Sequence, residues 1–195
     1  MKNNIKLIVG LGNVGKKYEG TRHNVGFLAV DAFRELLCDD EFKLKERFNC
    51  WVCENEYAGG KVILAKPTKY MNLSGYPVKL LADYYNIDSA DILVIHDDLD
   101  LELGEVRFKH GGGTGGHHGL QSVHENLGTD EYDRCRIGIG KKGQAVLTEK
   151  EGADFVLGRF TKEEELSIKK ALETVLAGGQ CWLTDGIEEC MNKYN

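Results

Sequence analysis

Three observations predict an α/β fold. Short apolar, strand-like runs alternate with stretches of helical periodicity. The first such run ends in a glycine-rich loop, Gly10-Leu11-Gly12-Asn13-Val14-Gly15. A second buried run, Ile92 to Ile95, leads into His96-Asp97-Asp98, which is where an α/β sheet places working carboxylates. Strands interleaved with helices imply a mostly parallel or mixed sheet flanked by helices. A length of 195 residues suits a single domain spanning 1–195 with a full core.

Taken in order, Lys6 to Val9 reads as a buried strand. After the loop, Val25, Leu28, Ala29, Ala32, Phe33, Leu36 and Leu37 keep the spacing of an amphipathic helix. That helix is expected to start at Arg22 or His23, with Thr21 as its N-cap and His23 at its mouth beside Asn13. Trp51 to Tyr57 and Lys61 to Ala65 read as a hairpin turning at Gly59-Gly60, with Pro67 ending the second strand. Thr68 to Asn72 reads as an exposed loop. Ser74 is placed to cap a helix with Val78, Leu81, Ala82 and Tyr85 on its apolar face.

Val106 to Lys109 reads as a short strand. The run Gly111 to Gly116 sits between ordered elements and reads as a loop that lets backbone approach a ligand. A helix through Val123 to Leu127 follows it. Cys135 to Ile139 is a further strand, and Asp154 to Gly158 is expected to pack locally. A long helix carries Ile168, Ala171, Leu172, Val175 and Leu176, and Cys181 to Met191 forms one more.

Composition excludes several classes. The chain is 42% hydrophobic and 29% charged, ordinary for a globular protein, and its net charge of −6 argues against a broadly basic nucleic-acid coat. No apolar run reaches membrane-spanning length, and the N-terminus lacks the apolar core of a signal peptide, so a cytoplasmic protein is expected. Cys50-Trp51-Val52-Cys53 is literally C-x-x-C, but it lies in an alternating stretch where i and i+3 face opposite sides. Reduced thiols are expected instead of a redox pair or zinc site.

Three chemistries remain open on the residues alone. Gly10, Gly12 and Gly15 spell the dinucleotide fingerprint G-x-G-x-x-G, although Gly20 interrupts the expected helix and no second strand carries the ribose-binding acid. His96, Asp97, Asp98, His110, His117, His118 and His124 offer metal ligands without a recognised spacing. The third is general-base hydrolysis. His23 would take a proton from water, Asp97 would fix its tautomer, and Asn13 and Asn72 would hold a carbonyl or its oxyanion. No G-x-S-x-G or reactive-cysteine signature is present, so water is favoured over a covalent nucleophile.

Several blocks in one order resemble a known family. Ile8 to Gly15 with Tyr18 and Thr21-Arg22-His23-Asn24-Val25-Gly26-Phe27 is similar to the opening of the bacterial-type peptidyl-tRNA hydrolases. Lys66-Pro67-Thr68 with Tyr70 to Gly75, His96 to Leu101 with Leu103-Gly104, Gly115-Gly116-His117 with Gly119-Leu120, Arg134 to Gly140 and Phe155 to Phe160 resemble later blocks. The resemblance implies a twisted mixed sheet in one α/β domain, acting as a monomer without metal or organic cofactor. It implies hydrolysis of the ester joining a peptide to the tRNA 3′ ribose, so that tRNA is recycled in translation.

Residue by residue, the resemblance assigns His23 as the catalytic base and Asp97 as the carboxylate that keeps it basic. Asn13 becomes the residue that tells a blocked peptidyl substrate from free aminoacyl-tRNA. Tyr18, Tyr70, Met71 and Asn72 become substrate contacts, and Lys109 and Arg136 a clamp on the tRNA 5′-phosphate. Two positions depart from the family pattern: His118 takes the substrate-binding position where asparagine is usual, and Val14 stands where proline is common. From Arg107 to Lys142 the chain holds Arg107, Lys109, Arg134, Arg136, Lys141 and Lys142 against Glu125, Asp130, Glu131 and Asp133. This locally positive stretch suits a phosphate backbone.

Overall fold

A computed structural model describes residues 4–140 and 148–195. Lys141 and Lys142 of the basic stretch lie outside the described residues. Seven strands form one sheet in the order β2-β3-β4-β1-β5-β7-β6. They are β1 (Ile5–Gly10), β2 (Lys43–Lys45), β3 (Cys50–Tyr57), β4 (Gly60–Pro67), β5 (Ile92–Glu102), β6 (Val106–His110) and β7 (Asp133–Gly140). The inner strands β4, β1, β5 and β7 run parallel, while β2, β3 and β6 pair antiparallel with their neighbours. The predicted mixed, mostly parallel α/β sheet is present.

Helices cover both faces: α1 (Val25–Leu37), α2 (Gly75–Tyr85), α3 (His118–Leu127), α4 (Glu149–Val156), α5 (Lys162–Asp185) and α6 (Ile187–Tyr194). Strand alternation separates two cores. Ile8, Leu93 and Ile95 pack with Phe33, Val175 and Trp182 on the side of α1 and α5. Leu7, Val9, Ile92 and Val94 pack with Val78, Leu81 and Val123 on the side of α2 and α3. Cys53 belongs to the first core and Cys50 to the second, so the C-x-x-C pair is split across the sheet as its alternation predicts. All six cysteines are free and buried.

Several expected boundaries move. Arg22–Asn24 forms a 3₁₀ turn and the α-helix begins only at Val25, while Thr21 turns its hydroxyl back to donate to the Tyr18 carbonyl at 2.7 Å instead of capping. The hairpin turns at Ala58 and Gly59, both with positive φ, one residue earlier than expected. The Thr68–Asn72 loop is not wholly exposed, because Met71 is buried in a second 3₁₀ turn, Met71–Leu73. Ser74 is fully buried and makes no cap bond. Asp154 to Val156 belongs to α4, whose Thr148–Glu151 capping box the apolar pattern does not reveal. Strand β2, three residues without a buried side chain, has no apolar pattern to predict it.

The largest departure concerns β5, which runs on to Glu102. The carboxylates read as lying past its end therefore lie within it. Asp97 pairs with Ile137 and Asp98 with Gly138, and the ladder shifts register only between Asp98 and Glu102. Aspartates are poor strand formers, so local propensity hides this extension, which β7 enforces from alongside.

At the sheet's far edge, His110 bonds Asp133 Oδ1 at 2.7 Å through Nδ1 and Glu131 Oε2 at 3.0 Å through Nε2. Two acceptors call for two ring protons. The hydrogen bond to Asp133, before all other causes, raises the His110 pKa from its ordinary value. A raised folded value means stability that is full below the unfolded histidine value and lost as pH climbs through the folded one. We expect the melting-temperature gap between the wild type and His110→Gln to be wider at about pH 5.5 than at about pH 9. Equal gaps in calorimetry at both pH values would refute the imidazolium assignment.

Candidate active site

The site lies where β1 ends beside the middle of β5 and where α1 and α3 begin. Its loop is pinned by close backbone approach. A Cβ at Gly10 would meet the Gly26 carbonyl at 2.1 Å, and one at Gly26 would meet Ile95 O at 2.4 Å. Two bare backbones therefore bring the start of α1 down onto the end of the sheet. The dinucleotide reading does not survive this arrangement. The fingerprint needs an α-helix opening within its glycines, whereas only a 3₁₀ turn, Lys16–Tyr18, follows Gly15 and α1 begins at Val25.

Asn13 and Asn24 lock the loop to the turn before α1. The Asn13 N–H donates to Asn24 Oδ1 at 2.8 Å, and Asn24 Nδ2 donates back to the Asn13 carbonyl at 2.9 Å. Asn13 Oδ1 accepts the Met71 N–H at 2.9 Å. A backbone N–H can only donate, so this bond fixes the amide orientation and leaves Nδ2 as a donor.

His23 sits in the turn Arg22–Asn24, and both of its neighbours in the chain are anchored. Arg22 donates from its backbone to Gly158 O at 2.9 Å and from its guanidinium to Glu164 Oε2 at 2.6 Å, while the guanidinium lies 4.5 Å from the Phe155 ring. Asn24 is held by Asn13. The His23 side chain, 12% exposed, turns Nδ1 toward Asp97 Oδ1 and Oδ2 at 2.8 and 2.9 Å. An ionised carboxylate accepts only, so Nδ1 carries the proton and Nε2 keeps a lone pair.

Asp97 also meets a second imidazole. His117 Nε2 lies 3.1 Å from Asp97 Oδ1. His117 is the N-cap of α3, and its Nδ1 accepts the Gly119 and Leu120 N–H groups at 3.1 and 3.3 Å. Its proton is thereby placed on Nε2, which donates to Asp97. Burial would push the Asp97 carboxyl up, but His23 and His117 more than offset it and hold the group well below the ordinary carboxylate range. The sequence alone marks His117 only as a possible metal ligand. The available signal was its position one residue before a helix start, where a side-chain acceptor is needed.

Ligand atoms of His23, Asp97 and His117 lie within 4.8 Å of one another, the spacing a metal ion needs. The tautomers argue against that use. A cation on His117 Nε2 would drive the ring proton onto Nδ1, against the two N–H groups that Nδ1 accepts. Of the other histidines weighed as ligands, His110 is engaged with Asp133 and Glu131, and His124 with Arg134.

Of the remaining expected residues, Met71 is tied to Asn13 and His118 adjoins His117. Tyr18 and Tyr70 meet edge to face with ring centroids 6.4 Å apart, and Tyr70 is half exposed. Met71 packs under Gly119, where an added Cβ would meet its sulfur. Asn72 is exposed on the same turn, and His118 is exposed as the first residue of α3. Arg107, Lys109, Arg134 and Arg136 share one face of β6 and β7, because Arg107 pairs with Arg136 and Lys109 with Arg134 across the ladder. Arg136 Nε donates to Asp98 Oδ2 at 2.7 Å, and Arg107 meets Glu105 at 2.8 Å. Arg134 is buried and braces the glycine loop through the Gly112 and Gly113 carbonyls. Lys109 is exposed beside that loop.

The chain's likeness to known proteins is full-length. The family model described as peptidyl-tRNA hydrolase matches residues 7–195. A peptidyl-tRNA hydrolase of Ligilactobacillus salivarius is 42% identical over 192 residues, covering 98% of this chain and 100% of the relative. One from Rickettsia conorii is 44% identical over 189 residues, covering 96% and 98%. The crystal structure of the Acinetobacter baumannii peptidyl-tRNA hydrolase superposes with a TM-score of 0.91 at 33% identity, covering 100% of this chain and 96% of that one. With the family model, these relatives and the shared fold in agreement, the chain belongs to the peptidyl-tRNA hydrolase family.

Proposed function

We propose that this chain hydrolyses the ester bond of peptidyl-tRNA, releasing peptide and free tRNA for reuse in translation, as one cytoplasmic domain acting as a monomer. The observation that carries the mechanism is the His23–Asp97 pair, which leaves His23 Nε2 as a lone-pair base in a partly open site. His23 takes a proton from water as the water attacks the ester carbonyl. The tetrahedral oxyanion then collapses, the C–O bond to the ribose breaks, and the imidazolium gives its proton to the departing ribose oxygen, which leaves as a hydroxyl. Asp97 stabilises that transient imidazolium without itself taking the proton. No helix among the described residues is long and apolar enough to cross a membrane.

Discrimination follows from the Asn13 amide. Its Nδ2 end is a donor, which suits a peptide carbonyl and cannot accept from the ammonium of free aminoacyl-tRNA. Tyr18, Tyr70, Met71, Asn72 and His118 border the substrate groove, His118 offering an imidazole there. The direct test is hydrolysis of an N-blocked aminoacyl-tRNA beside the same unblocked one. Release from the blocked substrate alone supports both activity and discrimination. Binding without release would instead assign the chain to tRNA binding.

Lys109 and Arg136 are proposed to hold the tRNA 5′-phosphate. Lys109 contributes the more available charge, because Arg136 is already paired with Asp98. We expect Lys109→Ala to weaken binding to tRNAs of different sequence alike and to lower the slope of log K against log salt by about 1. An unchanged slope in a salt titration would place the phosphate elsewhere.

A further inference from the structure

His96 is the one histidine of the centre to which the mechanism gives no task. It is buried on the α2 and α3 side of β5, continuing the inward row of Ile92 and Val94. The β1–β5 ladder ends at Gly10 and Ile95, with the Leu11 N–H donating to Ile95 O at 2.9 Å. Beyond that point β1 turns away into the Asn13 loop. The next β5 carbonyl aimed to that side is that of Asp97, since carbonyls at i and i+2 point the same way. No strand is left to serve it. His96 serves it instead: its Nδ1 lies 2.7 Å from Asp97 O. A carbonyl accepts only, so the Nδ1 atom carries the proton.

The other end of the ring touches the second imidazole. The His96 and His117 rings meet edge to face with centroids 5.1 Å apart. His96 Nε2 is buried with no donor or acceptor among the described residues. A proton there would be an orphaned donor and would put a charge against His117. Burial first, and His117 next, push the His96 pKa down to about 3, against weaker opposing effects of the Asp97 backbone and of the Asp98 and Asp97 charges.

We propose that His96 is a positioning residue for hydrolysis: its Nδ1–H closes the Asp97 carbonyl where β1 leaves the sheet, and its ring braces His117, so that the Asp97 carboxylate stays aimed at His23. The role rests on the reading of Asp97 as the group that orients His23. The same imidazole explains how one strand can end in a loop that carries Asn13 while its neighbour continues in register to carry Asp97.

The test compares His96→Leu, which fills the space without a donor, with His96→Asn, whose Nδ2 occupies the place of the ring Nδ1. With an N-blocked aminoacyl-tRNA, H96L is expected to lower kcat about 30-fold with KM changed less than about threefold, and H96N to recover kcat to within about fivefold of the wild type. In the wild type, nitrogen NMR of the imidazoles should show His96 as the neutral Nδ1–H tautomer down to about pH 5. That arm decides the matter even if H96L does not fold. An Nε2–H tautomer, an imidazolium at neutral pH, a wild-type kcat in H96L, or equal losses in H96L and H96N would each overturn the proposal. Asp97→Asn in the same assay separates the failures. An inactive D97N beside a fully active H96L overturns the His96 role alone, whereas a fully active D97N overturns the Asp97–His23 reading and the role together.

Discussion

His23→Ala is expected to lower kcat on an N-blocked aminoacyl-tRNA by about 10²–10⁴, the usual contribution of a positioned general base, with KM changed only a few-fold. The expectation follows from where the proton is. Nδ1 is committed to Asp97 at 2.8 and 2.9 Å, so Nε2 is the only basic atom that the residue offers to water. The variant should remain folded, because His23 lies on a turn whose neighbours are anchored independently. Arg22 is held by Gly158 and Glu164, and Asn24 by Asn13. Tightly bound but uncleaved substrate should therefore be recoverable from the mutant. Single-turnover hydrolysis checks this, and near-normal release by a folded H23A protein would assign the base to another residue.

Much of this centre was legible in the sequence, for reasons that are local. The glycine loop after β1, the apolar period of α1 and the alternation of β3 each depend on residues close along the chain. The meeting of Asn13, His23 and Asp97 was legible only through the ordered motifs, since residues 13, 23 and 97 come together by the parallel pairing of β1 with β5. What stayed hidden was set by tertiary contact. Strand β5 persists through His96, Asp97 and Asp98 because β7 lies alongside, not because those residues prefer a strand. The role of His117 depends on a carboxylate twenty residues earlier and on a helix start whose cap is a histidine, a residue outside the usual capping set. The tie between Arg136 and Asp98 was equally invisible, and it changes which cation of the basic face has charge to spare.

Asp97→Asn should reduce kcat by about 10²–10⁴, a loss comparable with that of H23A, because in the proposed mechanism the carboxylate acts only through the imidazole. Asp97 accepts from His23 and His117 at once, on a side chain that is nearly inaccessible. An asparagine supplies one acceptor oxygen and an NH₂ group, and that NH₂ must face one of two imidazole donors. The least costly escape is for His23 to carry its proton on Nε2, which removes the base without removing the residue. The double variant His23→Ala with Asp97→Asn should then be no slower than His23→Ala alone, within about threefold, as expected of groups that act as a unit. Losses that multiply would mean that Asp97 contributes to the transition state by a separate route. Stability provides a second readout. The carboxyl is held below its ordinary value, so its contribution is full above the unfolded carboxylate value, about 3.9, and is lost as pH falls through the folded one. The stability gap between wild type and D97N, followed by denaturant unfolding, should hold constant from about pH 8 to pH 5 as far as Asp97 is concerned and close only below about pH 4. A gap that closes well above that would show that the carboxylate is not buried between two donors.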